Sequence, residues 1–339
     1  MINLLCNDNK DANHQPNTMP QTETLAETAM EVYRGLEIRP RSISSSHFYD
    51  DRGSRLFQKI MAMPEYYLTN SEAEILEIHK QSIISGFCGG GPSVDLVELG
   101  AGDGVKTRIL IQHMLHREIP FRYVPVDISG EALDNLAAQM RKSVGDFSMY
   151  PRQGDYFKML EELSLEYHQP KIILFLGSNL GNMGYEAGIE FLRKLAGVMT
   201  VNDKLFIGLD LKKDPAVIGP AYNDPHGYTR AFNLNLLERF NRELDTDFVP
   251  DQFSHVPVYD PEYGAAKSYL VSRKDQVITF PSLDKQLKLD RWDAILTEIS
   301  QKYDMTMIRE MAEESGFRIV ENYFDSRSYF VNSLWILNG

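Results

Sequence analysis

The stretch that most limits what this chain can fold into is Val94-Asp-Leu-Val-Glu-Leu-Gly-Ala-Gly-Asp-Gly-Val-Lys-Thr107. Val94 to Leu99 is a short apolar run that reads as a buried parallel strand. Gly100, Gly102 and Gly104 follow, and a helical pattern runs from Thr107 to His116. A strand that breaks into a glycine turn and restarts as a helix brings backbone close to a nucleotide-like ligand in α/β folds. The glycines remove Cβ atoms where such a ligand must pass. There is no GK[ST], and the spacing is not G-x-G-x-x-G, so a phosphate loop is not indicated. Glu98, acidic just before the turn, suits an amino or sulfonium group better than a pyrophosphate.

The flanking sequence alternates in the same manner. Strands are expected at 94–99, 123–127, 148–152, 171–176 and 204–209, with helices at 107–116, near 133–140 and at 185–199. Such alternation predicts a parallel sheet with right-handed crossovers. Before it, helices are expected over 25–36, from Phe48 towards Pro64, and from a capping box at Ser71 and Glu74 to Ile84. Pro64 to Thr69 reads as an aromatic loop. The alternation breaks at Lys213 and gives way, up to about Gln301, to a helix (234–241) and antiparallel segments. It resumes with a helix at 305–315 and ends in two strands, 318–324 and 329–337, close enough to be an antiparallel pair. A parallel sheet closed by a C-terminal hairpin is the layout of class I methyltransferases. The expected division is a disordered tail (1–22), a discontinuous α+β substrate-binding lobe (23–71 and 213–302) and a Rossmann-like domain (72–212 and 303–339).

The net charge of −13 argues against a general affinity for nucleic acid or anionic membrane. Cys6 and Cys88 cannot form a disulfide framework. The eight histidines show no ligand spacing, so no metal is expected. No apolar run reaches membrane-spanning length and the first residues do not read as a signal peptide, so a cytoplasmic protein is expected; a monomer is expected as well.

In open α/β sheets ligands sit beyond the carboxyl ends of the strands. Those ends are Gly100, Asp127, Asp155, Gly177 and Asp210. Asp127 can accept from both hydroxyls of a ribose. Asp155 can accept from an exocyclic adenine amine while Tyr156 offers its backbone amide. Lys106 can reach a carboxylate tail. The alternatives are that Asp127 and Asp155 cap helices and that Lys106 is merely solvated. At the fourth strand, Phe175-Leu-Gly-Ser-Asn-Leu-Gly-Asn182 replaces the Asp/Asn-Pro-Pro-aromatic of nucleic-acid adenine methyltransferases. A glycine-lined floor with an Asn amide fits a small polar substrate, the alternative being Asn182 as a helix cap.

Further segments carry a resemblance. Phe48-Tyr-Asp with Gly53-Ser, Pro64-Glu-Tyr-Tyr, Glu98-Leu-Gly with Lys106-Thr, Phe175-Leu-Gly-Ser with Gly181-Asn, Lys213-Asp-Pro, Ala231-Phe-Asn-Leu-Asn235, Asn241-Arg-Glu-Leu and Thr297-Glu-Ile-Ser300 stand in order over roughly Leu36 to Leu337. In these the chain resembles the L-histidine Nα-methyltransferase family of ergothioneine synthesis. The resemblance implies a class I methyltransferase domain with a second α+β lobe. It implies S-adenosylmethionine, released as S-adenosylhomocysteine, on Tyr49, Gly100, Lys106, Asp127, Asp155 and Tyr156. It implies the amino-acid substrate on Tyr66, Gly177, Asn182, Tyr222, Thr229, Glu298 and Ser300, with Phe232 lining the site. Tyr49 and Asn182 would position the reacting groups, and the product would run up to the trimethylated betaine hercynine. Glu298 and Ser300 lie two apart, so in a strand they share a side and can take the two imidazole nitrogens. Ser268 stands where the bacterial enzymes have a Met beside the substrate. The closest rival is the same chemistry on tryptophan, against which Glu298 argues, because an indole offers one donor only.

Overall fold

A computed structural model describes residues 21–88, 93–166 and 169–338, with the backbone alone for 21–24. The expected tail lies outside these residues, except that Gln21 and Thr22 already open the first helix. In chain order the elements are α1 (Gln21–Glu37), β1 (Arg41–Ser42), α2 (Asp51–Met61), α3 (Tyr67–Cys88), β2 (Val94–Leu99), α4 (Val105–His116), β3 (Phe121–Asp127), α5 (Gly130–Val144), β4 (Arg152–Gln153), α6 (Tyr156–Glu166), β5 (Lys171–Phe175), α7 (Tyr185–Val198) and β6 (Lys204–Asp210). Then come α8 (Pro215–Tyr222), α9 (Tyr228–Leu244), β7 (Phe253–Asp260), β8 (Ala265–Ser272), β9 (Gln276–Phe280), β10 (Lys285–Leu289), β11 (Ala294–Gln301), α10 (Met305–Glu314), β12 (Phe317–Phe324) and β13 (Phe330–Leu337). Short 3-10 turns occupy Ser45–Phe48 and Asn179–Met183.

The main sheet has seven strands in the order β12-β13-β6-β5-β2-β3-β4. β4, β3, β2, β5 and β6 are parallel, and β13 and β12 close the far edge antiparallel. Every residue of β2 is buried, as a strand covered by helices on both faces requires. One face packs on α6, α7 and α10, through Leu160, Ile189, Leu192 and Ile308. The other packs on α3, α4 and α5, through Ile75, Leu110 and Leu136.

A second sheet, β1-β11-β8-β7, with the β9-β10 hairpin, packs against α1 and α9 around Phe232, Leu236, Phe240 and Leu270. Its edge strand β1 comes from the N-terminal segment and pairs parallel to β11, Arg41 opposite Ile295. A segment ahead of the main sheet and one inserted between β6 and β12 therefore build one layer.

Several local expectations are corrected. Ser71 and Glu74 do not cap a helix, because α3 already begins at Tyr67. Within it Ser71 Oγ takes Arg327 and Glu74 takes the Ser326 amide, both from the turn after β12. The aromatic loop thus ends at Tyr66, and α3 passes residue 71 unbroken. The third strand shrinks to Arg152–Gln153 with an isolated bridge from Tyr123 to Met149. Helix α8 is absent from the elements expected of the sequence. Its apolar sequence lacks amphipathic period, but Asp214 caps it and Pro215 opens it. No helix among the described residues is long and apolar enough to cross a membrane.

Candidate active site

The glycine turn lies at the carboxyl end of β2. Gly100 has φ +69°, and a Cβ there would come 2.8 Å from the Tyr156 hydroxyl. Tyr156 therefore closes one wall of the turn. Asp127 ends β3 and accepts the Ser129 amide at 2.9 Å. Withdrawal from water raises its pKa above the ordinary carboxylate value, while backbone amides of Ser129 and Ile128 pull it down. It is not the cap of α5; Ser129 is. Asp155 does cap α6, accepting the amides of Phe157 and Lys158 at 3.0 and 3.1 Å. The Tyr156 phenol is pushed up to about 12, first by burial and then by the charges of Asp127 and Asp155. The two carboxylates and the phenol thus share one neighbourhood. Beyond Gly102 nothing stands within 4 Å of where a Cβ would be. An open glycine turn beside a half-buried carboxylate held by backbone amides suits a ligand with a diol, which would bring two donors to Asp127.

Glu98 is corrected. Its carboxylate does not face the turn but lies in the core, where Thr107 Oγ1 donates to it at 2.5 Å and the Tyr123 hydroxyl donates to its other oxygen. Burial pushes it up to about 7 against those hydrogen bonds and the nearby Lys106. Lys106 is not free either: its Nζ lies 2.7 Å from Glu72 Oε2. Buried Glu72 also accepts the Gly177 amide at 2.9 Å and Asn332 Nδ2 at 2.9 Å. Gly177, at φ +80°, leaves a gap in which a Cβ would stand 3.0 Å from Lys106 Nζ. Glu72 was not found in the sequence because its partners come from α4, the turn after β5 and β13.

Towards the second sheet the aromatic residues converge. Phe232 is buried and stacks on Phe48 at 4.3 Å and 11°. Tyr49 meets Phe232 and Phe57 edge-on at 6.0 and 5.6 Å, and 49% of it remains exposed. Its phenol is held well above the ordinary value by desolvation, then by the charges of Glu298 and Tyr156, which sets it between both halves of the site. Tyr66 packs on the second sheet's core and on the cluster of Tyr67, Ile218 and Tyr222. Burial raises its pKa, and the charges of Tyr222, Tyr49, Glu298 and Asp210 raise it further.

Strand β11 supplies Glu298 and Ser300. Ile295 pairs with Leu270, Glu298 with Ser268 and Ser300 with Ala266, with a bulge between Leu296 and Glu298. The bulge absorbs Thr297, so Glu298 and Ser300 share the face of Ile295 although strict alternation would turn them away. The Thr297 hydroxyl lies 2.6 Å from Asn233 Oδ1 and 3.0 Å from the Ser268 carbonyl. Glu298 accepts from Ser268 Oγ at 3.2 Å. Desolvation raises its pKa, and Ser268, Lys302 and Asn233 lower it.

Beneath lies a buried network that the sequence did not announce. Asp210, at the end of β6, takes Lys213 at 2.5 Å, Lys302 at 2.8 Å and the Tyr67 hydroxyl at 2.8 Å. Lys302 donates to Tyr222 at 2.6 Å and to Ser300 at 2.8 Å, and Tyr222 donates to Ser300 at 2.8 Å. Asn182 lies in the 3-10 turn whose first residue follows Ser178, so it caps neither that turn nor α7. The turn rests on β11, where a Cβ on Gly181 would stand 2.9 Å from the Gln301 carbonyl. Thr229 is buried in the first turn of α9, its amide on Asp224 at 2.8 Å. Other quoted motifs are scaffolding. Asp50 caps α2 and takes Asn235 at 2.8 Å, and Asn241 ties the loop at Phe248.

A seven-stranded sheet in this order, with carboxylates beyond its second and third parallel strands, defines a class I S-adenosylmethionine-dependent methyltransferase. The family model for histidine-specific, S-adenosylmethionine-dependent methyltransferases matches residues 28–337, and the chain belongs to that family. It is an enzyme. It is 34% identical over 304 residues to the histidine N-alpha-methyltransferase of Mycobacterium tuberculosis (strain CDC 1551 / Oshkosh), covering 90% of this chain and 93% of that one. It is 29% identical to ergothioneine biosynthesis protein 1 of Neurospora crassa, over 87% of this chain and 33% of that longer protein. An N-methyltransferase of Aspergillus fumigatus, fsqC, is 25% identical over 91% of this chain.

Proposed function

We propose that the chain methylates the α-amino nitrogen of L-histidine, up to the trimethylated betaine, as the first step of ergothioneine synthesis. The observation that carries this reading is the pair on β11. Glu298 offers an acceptor, and Ser300, on the same face, offers a hydroxyl. The names of the mycobacterial and fungal relatives support it.

S-adenosylmethionine supplies an electrophilic methyl group on a sulfonium. Tyr49, Gly100, Lys106, Asp127, Asp155 and Tyr156 would hold it. Lys106 spends one N–H on Glu72 and keeps two for a carboxylate. Tyr66, Gly177, Asn182, Tyr222, Thr229, Glu298 and Ser300 would hold histidine, with Phe232 backing Tyr49. The protein's work is to fix nitrogen, carbon and sulfur in line, with Tyr49 orienting the amine and Asn182 holding the substrate carboxylate. The incoming amine must be neutral, and solvent takes its proton. We further propose a cytoplasmic monomer that acts without a metal, a nucleic acid or a membrane.

One feature favours a second substrate, tryptophan or a related amino acid. Ser268, buried opposite Glu298 and donating to it at 3.2 Å, stands where the bacterial histidine enzymes have a bulkier Met. A competition assay with equimolar amino acids, read by mass for methylated products, decides. Histidine is expected ahead of tryptophan, phenylalanine and tyrosine, and Glu298→Ala is expected to lose that preference. Robust tryptophan methylation by wild type, or unaltered histidine kinetics in Glu298→Ala, would refute the reading.

A further inference from the structure

Lys302 is wholly buried and serves three oxygens at once: Asp210 Oδ2 at 2.8 Å, the Tyr222 hydroxyl at 2.6 Å and Ser300 Oγ at 2.8 Å. An ammonium has three N–H groups and no acceptor, so all of its capacity is used. Asp210 holds it there and is itself held by Lys213 and Tyr67. Tyr222 accepts from Lys302 and donates to Ser300. Ser300 Oγ therefore accepts twice, which fills both of its lone pairs. What Ser300 has left is its own proton. Two residues along the same face, Glu298 has only acceptor capacity when ionised.

We propose that Lys302 is a specificity-determining positioning residue: by saturating Tyr222 and Ser300 it makes Ser300 an obligatory donor, so that the β11 face presents one donor and one acceptor and selects a neutral five-membered ring carrying one of each. This rests on the histidine reading and deepens it. The cluster reads the ring's lone pair as well as its N–H, and an imidazolium, which donates at both nitrogens, meets a donor at Ser300.

The test is calorimetric binding to protein loaded with S-adenosylhomocysteine. Histidine is compared with 3-(pyrrol-2-yl)alanine and 3-(pyrrol-3-yl)alanine, each of which keeps one N–H and puts C–H where imidazole accepts. In wild type the better pyrrole is expected to bind at least about tenfold more weakly than histidine, because the Ser300 proton is left buried without a partner. In Lys302→Met the Tyr222–Ser300 pair is free to reverse its polarity, and the gap is expected to close to about threefold or less. Tyr222→Phe removes one of the two donors into Ser300 and is expected to narrow the same gap. Any general loss of amino-acid binding affects both ligands and cancels in the ratio. If Lys302→Met no longer binds S-adenosylhomocysteine, wild type and Tyr222→Phe decide. A wild type that binds histidine but takes a pyrrole within threefold, or an unchanged gap in the variants, overturns this inference and leaves the histidine reading standing. A wild type that binds no histidine removes both.

Discussion

Glu98 and Asp127 stand on neighbouring strands, and burial raises the pKa of both, with different consequences. Asp127 reaches the sheet edge, so its carboxylate can meet a ligand. Asp127→Ala is expected to weaken S-adenosylmethionine binding by roughly 2–3 kcal/mol, through loss of two charge-assisted hydrogen bonds; calorimetry checks it. Glu98 is sealed in, with its pKa pushed up from 4.5 to about 7. The folded state then holds a proton that the unfolded state releases between those values. Its contribution to stability is present at pH 4.5 and below and is lost as pH rises towards 7. Glu98→Gln, neutral throughout, should match wild type in melting temperature near pH 5 and exceed it near pH 8, by an amount equivalent to roughly 3 kcal/mol. Equal melting curves at both pH values would contradict this. The two residues also differ in how far the sequence revealed them. Asp127 followed from the strand period and the rule that ligands gather at carboxyl ends. The direction of Glu98 could not follow, because β2 is buried on both faces and the groups that receive it, Thr107 and Tyr123, belong to other elements.

Among the elements, β11 shows what periodicity can and cannot read. Glu298 and Ser300 share a side as their spacing implies, but which side depends on the bulge at Thr297, and nothing in the local sequence marks a bulge. It is fixed from outside, by Asn233 on α9. Thr297→Val should leave Asn233 Oδ1 unpaired and cost about 1–3 kcal/mol of stability. It should raise KM for histidine while S-adenosylhomocysteine affinity stays unchanged, measurable by denaturation, kinetics and calorimetry. Helix α3 is the opposite case. Ser71 and Glu74 match a capping box, yet the helix starts a turn earlier, because tertiary contacts from the turn after β12 claim both side chains. The parallel sheet and the C-terminal hairpin were legible because the strand and helix patterns extend over long stretches of sequence. Short pieces such as α8 and β1 were not, since each exists through what it packs against.

For the whole molecule, the two sheets are joined where Lys302, just past β11, pairs with Asp210 at the end of β6 at 2.8 Å and the Tyr303 amide donates to the Asp210 carbonyl at 2.9 Å. Ligands on either side should therefore stabilise one unit. At a hundredfold excess over Kd, S-adenosylhomocysteine should add about 2.7 kcal/mol and shift melting upward by several degrees, and histidine should add a further shift once it is present. NAD should add none. A scan showing the NAD shift alone would contradict the assignment of the glycine turn.

Helix α3 has a mechanical consequence. Its first residue holds Asp210 through Tyr67, and little more than a turn later Glu72 holds Gly177, Lys106 and Asn332. These partners all belong to the half built on the main sheet, while Tyr67 and Leu68 also pack on Ile218 and Tyr222 of α8; a hinge between the lobes would part that contact and pull Lys302 from the Asp210 carboxylate with no water to replace it. Swinging one half off the other is therefore a costly way to admit a reactant. Movement is then left to small parts at the rim, such as the half-exposed ring of Tyr49, while the frame stays still.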